Sequence, residues 1–348
     1  MGEKMEAVVK TRPELGGTEI KEVEIPSVGP NDVLIKVRVA SICGTDVHIY
    51  NWDPWAQGRI KTPRIYGHEF CGEVVEVGPN VTSVKPGDYV SGECHIACGH
   101  CYLCKTGNAH ICRDMKIFGV DVDGIFAEYA CIPENNVWRN DPDLKPELAS
   151  IQDPLGNAIH SVFAADVPGR NVAVLGCGPI GVMSVAVCKA IGAAQIFAVG
   201  RRNMYRINLA KKAGATKVFR AADDVEGVVR EMTDGLGVDV VLEMSGNTKA
   251  VQQGLRLLRP GGTLVLLGVY TEPAEIDLSK DVVFKYVNIK GINGRLMFDT
   301  WYRMAGLLKS GSLDLDFVIT HRYKFKDFEE AMQTMRSGNS GKVVLKLE

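Results

Sequence analysis

Apolar and polar positions alternate over short runs in the first 150 residues. Val33-Leu-Ile-Lys-Val-Arg-Val39 and Cys71-Gly-Glu-Val-Val-Glu-Val77 are two such runs, and Gly-Pro or Pro-Gly pairs interrupt the pattern around them. A period of two is typical of a strand with one buried face, and Gly and Pro mark the turns between strands. The pattern therefore predicts a compact β-rich domain.

From Asn171 onward, short apolar runs alternate with longer segments of helical pattern. The predicted elements, in order, are strand Val172–Leu175, helix Ile180–Ile191, strand Gln195–Val199, helix Tyr205–Ala213, strand Val238–Glu243 and strand Thr263–Leu267. Parallel strands joined by helices form a doubly wound sheet, so the predicted fold class is α/β. The tail from Asp316 returns to short strands around one helix, Asp327–Arg336, and is expected to fold back onto the first domain.

Composition narrows the functional class. The 348 residues are 46% hydrophobic and 24% charged, which suits two globular domains. The net charge is −2 and no block of Lys and Arg is long, so nucleic acid is not an expected partner. Glycine, proline and lysine interrupt the most apolar stretch, residues 172–199, so no membrane span is expected.

Four of the ten cysteines are closely spaced in a loop rich in glycine and polar residues: Cys98, Cys101, Cys104 and Cys112. Two-residue gaps let a turn aim neighbouring thiolates at one point, and Zn²⁺ binds four sulfurs tetrahedrally at about 2.3 Å. A zinc ion with four sulfur ligands has no coordination position left for water or substrate, so we predict a structural zinc. Two disulfides are the alternative, but residues 1–24 contain no apolar core of a secretory signal and the other six cysteines occur singly. Both observations favour a reduced, cytoplasmic protein.

A glycine pattern, Gly176-x-Gly178-Pro179-Ile180-Gly181, follows an apolar strand and opens a helix. In that position glycines permit a tight turn and a close approach of backbone to pyrophosphate, while the helix N-terminus offers N–H donors. The pattern predicts a dinucleotide-binding site. An ordinary glycine-rich turn is the alternative, and the flanking strand and helix argue against it.

The identity of the dinucleotide depends on the end of the second strand. An acidic residue there normally accepts a hydrogen bond from the ribose 2′-hydroxyl, but Arg201 and Arg202 follow Gly200, and no acid occurs between Gln195 and Arg206. Guanidinium groups suit a 2′-phosphate, so NADP is favoured over NAD, with Arg206 also assigned to the cofactor site. The alternative is a pair of solvated arginines beside NAD bound through the backbone.

A second set of potential zinc ligands is dispersed along the chain: Cys43, His68, Glu69 and Asp153. A thiolate, an imidazole and a carboxylate leave a coordination position for a substrate oxygen, and zinc lowers the pKa of a bound hydroxyl. Such a site favours loss of hydride from an alcohol to a nicotinamide. Taken singly, each residue also has an ordinary structural role, as a buried small side chain, a core histidine or a hydrogen-bond acceptor.

Cys43-Gly-Thr45-Asp46-Val-His48, Gly67-His68-Glu69, the four cysteines and the glycine turn occur in an order that resembles the zinc-dependent medium-chain alcohol dehydrogenases. The resemblance covers essentially the whole chain. It implies a GroES-like catalytic domain at residues 1–152 and 295–348, with a structural zinc lobe at 94–113, and a Rossmann domain at 153–294. It also implies two zinc ions per chain and a homotetramer.

Less generic segments narrow the resemblance to threonine-oxidising members of this family: Ile49–Ala56, His95–Gly99, Gly294–Tyr302 and Ile319–Arg322. The implied reaction is oxidation of the β-hydroxyl of L-threonine to L-2-amino-3-oxobutanoate. By the same resemblance, Thr45 and His48 form a proton relay through a cofactor ribose hydroxyl. Ser245, Leu267 and Gly268 lie at strand ends, where they are expected to meet the cofactor near its nicotinamide.

A pocket for threonine must neutralise an ammonium and a carboxylate. Glu93 is the candidate partner of the ammonium and Arg295 that of the carboxylate, with His95 as a further pocket residue. Arg295 could equally form a salt bridge in a loop or an interface.

Two other functions remain open at this point. A zinc polyol or vicinal-diol dehydrogenase, acting on sorbitol or 2,3-butanediol, would share both metals and the glycine turn and would differ only in its pocket. A non-catalytic protein that retains the fold would have no catalytic metal. The presence of Cys43, His68 and Glu69 argues against the second alternative.

Overall fold

The computed structural model describes residues 2–347. Its strands, in chain order, are β1 (Lys4–Lys10), β2 (Thr18–Glu24), β3 (Asp32–Ser41), β4 (Arg64–Ile65), β5 (Glu69–Val77), β6 (Tyr89–Gly92), β7 (His95–Ile96), β8 (Lys116–Ile117), β9 (Tyr129–Pro133), β10 (Val137–Arg139), β11 (Asn171–Leu175), β12 (Gln195–Gly200), β13 (Lys217–Arg220), β14 (Val238–Glu243), β15 (Leu258–Leu266), β16 (Asn288–Gly291), β17 (Ile319–Lys324) and β18 (Lys342–Lys346).

The α-helices, in the same order, are α1 (Gly44–Asn51), α2 (Pro54–Arg59), α3 (Tyr102–Lys105), α4 (Pro146–Ser150), α5 (Gln152–Phe163), α6 (Pro179–Ala190), α7 (Met204–Lys212), α8 (Val225–Met232), α9 (Thr248–Leu257), α10 (Asp299–Lys309) and α11 (Phe328–Ser337). Within residues 2–347, no helix combines the length and the apolar character needed to cross a membrane.

The described residues divide into two compact units. Unit 1 contains residues 2–154 and 319–347, and unit 2 contains residues 155–318. The first boundary lies within two residues of the expected one, whereas the returning segment begins at residue 319 instead of 295. Residues 295–318 pack within unit 2 because Arg295 donates a hydrogen bond to Asn157 and the turn Asp316–Val318 contacts α6 and α7.

Unit 1 is built mainly from antiparallel strands, as the alternating pattern predicts. One sheet has the order β2-β1-β4, and a larger one has the order β10-β6-β5-β3-β18-β17, with β9 also paired to β3. The tail contributes β17, β18 and α11, so the prediction that it folds back onto the first domain is confirmed. Tyr66, Phe126 and Phe328 meet in the core with ring centroids 5.6–5.7 Å apart.

Unit 2 contains a six-stranded sheet in the order β13-β12-β11-β14-β15-β16, and every neighbouring pair is parallel. The chain moves outward from β11 in one direction and then crosses to β14 to continue in the other. In such a sheet ligands bind beyond the carboxyl ends of the strands where the direction reverses. The predicted doubly wound sheet is confirmed, and its glycine turn lies at that position, directly after β11.

Candidate zinc sites and nucleotide cradle

The four closely spaced cysteines converge in the structure. Their sulfurs lie within 4.8 Å of one another, with Sγ separations of 3.6 Å for Cys101–Cys104, 3.9 Å for Cys101–Cys112 and 4.0 Å for Cys98–Cys104. Four sulfurs around one tetrahedral zinc would be about 3.8 Å apart, given Zn–S bonds of about 2.3 Å. None of the ten cysteines of the chain forms a disulfide. The geometry therefore favours the metal interpretation over the disulfide alternative.

Local backbone geometry also supports thiolates at this site. Hydrogen bonds from the backbone N–H groups of Cys104 and Arg113 lower the pKa of the Cys101 thiol to about 6, whereas burial and the hydrogen bond with Cys101 raise the pKa of the Cys104 thiol to about 12. Without a metal the thiols therefore share their protons unequally, with Cys101 the first to ionise. Because zinc binds the thiolate form of cysteine, amide donors aimed at the sulfurs prepare the site for a metal.

Strand pairing brings together the dispersed ligand candidates. The antiparallel register of β3 and β5 places Ser41 opposite Glu69, so Cys43, two residues after β3, lies close to His68, which precedes β5. One ligand atom from each of Cys43, His68 and Glu69 lies within 4.8 Å of the others. The two polar residues of the group are buried.

One atom of this group is especially suited to a metal. Glu69 Oε1 is buried and has no hydrogen-bond partner within the described part of the chain, whereas His68 Nδ1 faces Asp46 Oδ1 at 4.0 Å. The other carboxylate oxygen, Glu69 Oε2, accepts hydrogen bonds from Ser41 Oγ at 2.6 Å and from Lys342 Nζ. Uncompensated burial of polar atoms is costly, and a cation bound at this point would remove the cost.

The charges around His68 lead to the same conclusion. Burial acts to lower the pKa of His68, but Cys43, Asp46 and Asp153 act against it and raise the pKa to about 10. Burial also raises the pKa of Asp46 to about 6, although His68 and a hydrogen bond from Cys43 N favour its charged form. The group thus favours positive charge, which a divalent cation would supply.

Asp153 is buried at the start of α5 and lies outside the group formed by Cys43, His68 and Glu69. It is nevertheless close enough to His68 to raise its pKa. The preceding Gln152 holds the start of α5, because its Nε2 donates to Asn140 Oδ1 at 2.7 Å and to Ser91 Oγ at 3.1 Å. Direct binding of metal by Asp153 stays a prediction.

The predicted relay residues lie on α1, which begins immediately after Cys43. Thr45 Oγ1 is 3.7 Å from Cys43 Sγ, and His48 is one helical turn further along. The His48 side chain is 58% exposed, so its ring can exchange protons with solvent, and its Nδ1 is hydrogen-bonded to Asp53 Oδ2. The relay role of Thr45 and His48 stays a prediction.

The three candidate substrate residues do not form one group within either unit. Glu93 and His95 belong to unit 1, where the buried carboxylate of Glu93 accepts hydrogen bonds from His95 N at 3.0 Å and contacts His95 Nδ1 at 2.8 Å. Arg295 belongs to unit 2, where it is buried and its Nη1 donates to Asn157 Oδ1 at 3.1 Å. Glu93 is therefore placed to orient His95. Arg295 is attached to α5 through its hydrogen bond to Asn157.

The glycine turn has the steric properties of a nucleotide cradle. Gly176 has φ +111°, and a Cβ added at Gly181 would lie 1.8 Å from Gly176 O, so the strand and helix approach too closely for any side chain. Gly178 caps α6, and Pro179 is its first residue. A Cβ added at Gly178 would meet no protein atom within 4 Å, which leaves the helix N-terminus open to a ligand.

Two further turns lie at the carboxyl edge of the same sheet and contain Ser245, Leu267 and Gly268. A Cβ added at Gly268 would lie 2.1 Å from Gly246 N, so these turns touch each other. Their common support is Glu243, a buried carboxylate that accepts from Ser245 N at 2.8 Å, Gly246 N at 3.1 Å and Tyr270 OH at 2.5 Å. Sequence reasoning missed this role, although an acid that ends an apolar strand was the available signal.

The arginines that were predicted to select the cofactor follow β12. Arg201 and Arg202 are exposed, and Arg206 is half-buried in the first turn of α7, where burial lowers its pKa. Asn203 caps that helix by accepting from Arg206 N at 3.3 Å. The arrangement leaves both exposed guanidinium groups able to meet an anion, and their contact with a 2′-phosphate stays a prediction.

Comparisons with known proteins agree with this geometry. The family model described as alcohol dehydrogenase GroES-like domain matches residues 29–142, and the model described as zinc-binding dehydrogenase matches residues 179–310. The chain belongs to the zinc-dependent alcohol dehydrogenases.

One relative is L-threonine 3-dehydrogenase from Caldanaerobacter subterraneus subsp. tengcongensis, which is 53% identical over 98% of both chains. Among solved structures, a zinc-binding dehydrogenase from Sinorhizobium meliloti, bound to NADP, is 31% identical over 99% of both chains, with a TM-score of 0.89. The 2R,3R-butanediol dehydrogenase from Bacillus subtilis is 30% identical over 99% of this chain and 100% of its own, also with a TM-score of 0.89. The resemblance to threonine-oxidising members of the family and the predicted GroES-like and Rossmann folds are confirmed.

The open N-terminus of α6 can be tested with Gly178→Ala. The new methyl group would meet no protein atom, but Ala is a poorer N-cap than Gly, so the melting temperature should fall by no more than about 4 °C. The affinity for reduced nicotinamide nucleotide should fall about tenfold or more. Fluorescence titration with NADH and NADPH measures the effect. Gly306→Ala is the matched control, because a Cβ there also meets nothing. Unchanged affinity in Gly178→Ala would remove this turn from the cofactor site.

Proposed function

We propose that this chain oxidises the β-hydroxyl of L-threonine to L-2-amino-3-oxobutanoate, with transfer of hydride to a nicotinamide nucleotide. The observation that carries the proposal is the 53% identity, over nearly the full length of both chains, to a protein with this activity in its name. Identity to the butanediol dehydrogenase is 30%, which favours threonine over the diol alternative.

We assign two zinc ions to each chain. Cys98, Cys101, Cys104 and Cys112 suit a structural zinc because their sulfur separations match a tetrahedral site. Cys43, His68 and Glu69, with Asp153 nearby, suit a catalytic zinc because they offer mixed ligands and because Glu69 Oε1 is buried without a hydrogen-bond partner among residues 2–347. When bound, the catalytic zinc supplies a Lewis acid for the substrate hydroxyl, and the nicotinamide accepts hydride.

Side chains of the protein then accept the hydroxyl proton and bind the charged groups of the substrate. Oxidation removes a hydride from the β-carbon and a proton from its hydroxyl, so the proton needs a path to solvent. Thr45 and the exposed His48 on α1 provide that path in our assignment. His95, held by Glu93, is assigned to the substrate pocket, and Arg295 to the substrate carboxylate.

We further propose that NADP is preferred and that the protein is a cytoplasmic homotetramer. The exposed Arg201 and Arg202 support the cofactor preference, and ten cysteines without a disulfide support a reducing compartment. Apolar side chains on unit 2 support association, since Val269, Phe284 and Tyr286 are more than 80% exposed. The edge strand β16 is exposed along its whole length, so its outer edge is available for pairing.

Substrate class is tested by steady-state turnover of L-threonine, 2,3-butanediol and sorbitol by the zinc-loaded protein. L-threonine should give the highest kcat/KM, and Cys43→Ser should lower its turnover by at least about 10³-fold, since a Lewis acid contributes several kcal/mol to such reactions. Cys131→Ser, which changes a half-buried thiol outside both ligand groups, should leave turnover unchanged. Strong activity toward a diol with none toward threonine would replace the proposed substrate.

Cofactor preference is tested with Arg201→Asp. The variant loses the charge-assisted contact of Arg201 with the 2′-phosphate of NADP and gains a carboxylate that can accept a hydrogen bond from the ribose 2′-hydroxyl of NAD. The ratio of kcat/KM for NADP to that for NAD should therefore shift about tenfold or more toward NAD. Lys211→Asp makes the same charge change at an exposed position of α7 and should leave the ratio near its wild-type value. If Arg201→Asp leaves the ratio unaltered, Arg201 makes no 2′ contact.

A further inference from the structure

Asp53 lies at the junction of α1 and α2, where the chain turns back beside His48. The helix α1 ends at Asn51, its C-cap Trp52 adopts the left-handed conformation with φ 54°, and Asp53 then caps α2. Its two carboxylate oxygens have different partners. Oδ1 accepts from Ala56 N at 3.1 Å, and Oδ2 is hydrogen-bonded to His48 Nδ1.

This arrangement decides which ring nitrogen of His48 bears the hydrogen. An ionised carboxylate can only accept hydrogen bonds, so Nδ1 must donate to it, and in a neutral imidazole Nε2 is then the acceptor. Asp53 is held ionised: burial acts to raise its pKa, but hydrogen bonds from His48 and from Ala56 N lower it overall. The Trp55 ring, 6.0 Å from the imidazole, borders the same side chain.

We infer that Asp53 is a positioning residue that fixes His48 in the Nδ1–H tautomer and thereby keeps Nε2 as the proton acceptor of the relay. The inference rests on the proposed role of His48 and adds the group that presents its accepting nitrogen. One carboxylate has both roles: it caps α2, and it sets the tautomer and the orientation of the His48 ring. Without it, a neutral histidine this exposed would populate both tautomers.

Asp53→Asn and Asp53→Ser separate this role from helix capping. Asp, Asn and Ser are comparable N-caps, so α2 should keep its cap in both variants and the melting temperature should change by less than about 3 °C. An Asn whose oxygen caps Ala56 N presents its NH₂ group to His48 and should reverse the tautomer to Nε2–H. A Ser hydroxyl used for the cap leaves Nδ1 to solvent and should give a mixture.

The readout is the ¹⁵N spectrum of histidine-labelled, zinc-loaded protein, recorded at a pH where His48 is neutral, with His48→Gln used to assign its signals. Wild type should give Nδ1–H, and kcat for L-threonine should fall about tenfold or more in Asp53→Asn, with KM within about twofold of wild type. A wild-type tautomer and kcat in Asp53→Asn would overturn the inference, as would a loss of stability without a change of tautomer.

The same series distinguishes a failure of the inference from a failure of the proposed relay. Wild-type kcat in His48→Gln would remove His48 from the proposed mechanism whatever its tautomer. A strongly reduced kcat in His48→Gln together with an unchanged tautomer in Asp53→Asn would retain the relay and reject Asp53 as the residue that orients it.

Discussion

The structure depends most on the concentration of anionic and polar ligand atoms that β3, β5 and β18 bury at one point in unit 1. Cys43, His68 and Glu69 meet there, beside the buried Asp46. The buried ammonium of Lys342 contacts only one oxygen of Glu69, while the other oxygen has no hydrogen-bond partner in the described residues. A cation bound among these atoms would lower the cost of burying them.

The two units suit different kinds of site because their strands pair differently. Antiparallel pairing in unit 1 sets residues from distant parts of the chain side by side, which suits a metal site with ligands from several strands. Parallel strands in unit 2 end at one edge, where Gly176, Ser245 and Gly268 lie in touching turns above the buried Glu243. That edge has backbone N–H groups and little side-chain bulk, which suits a nucleotide.

Local sequence signals predicted the features that depend on neighbours in the chain. The spacing of Cys98 to Cys112 predicted a four-sulfur group, and the context of Gly176 to Gly181 predicted a strand, turn and helix. Contacts that depend on sheet register were not predictable: Lys342 meets Glu69 only because β18 pairs with β3, with Val344 opposite Ser41. Asp53 was missed for a related reason, since its contact with His48 requires the left-handed turn at Trp52. The boundary at residue 295 differed because the attachment of Arg295 to α5 has no periodic signal.

We propose that each chain holds two zinc ions, one in each of the two ligand groups of unit 1. Crystals of the zinc-loaded protein measured on both sides of the zinc absorption edge test it directly. Two anomalous peaks per chain are expected, one among the sulfurs of Cys98, Cys101, Cys104 and Cys112 and one between Cys43 and His68. Glu93, Cys94 and His95 form a third group whose potential ligand atoms lie within 4.8 Å of one another. A single peak at the four sulfurs, or a second peak at this third group instead of at Cys43 and His68, would contradict the proposal.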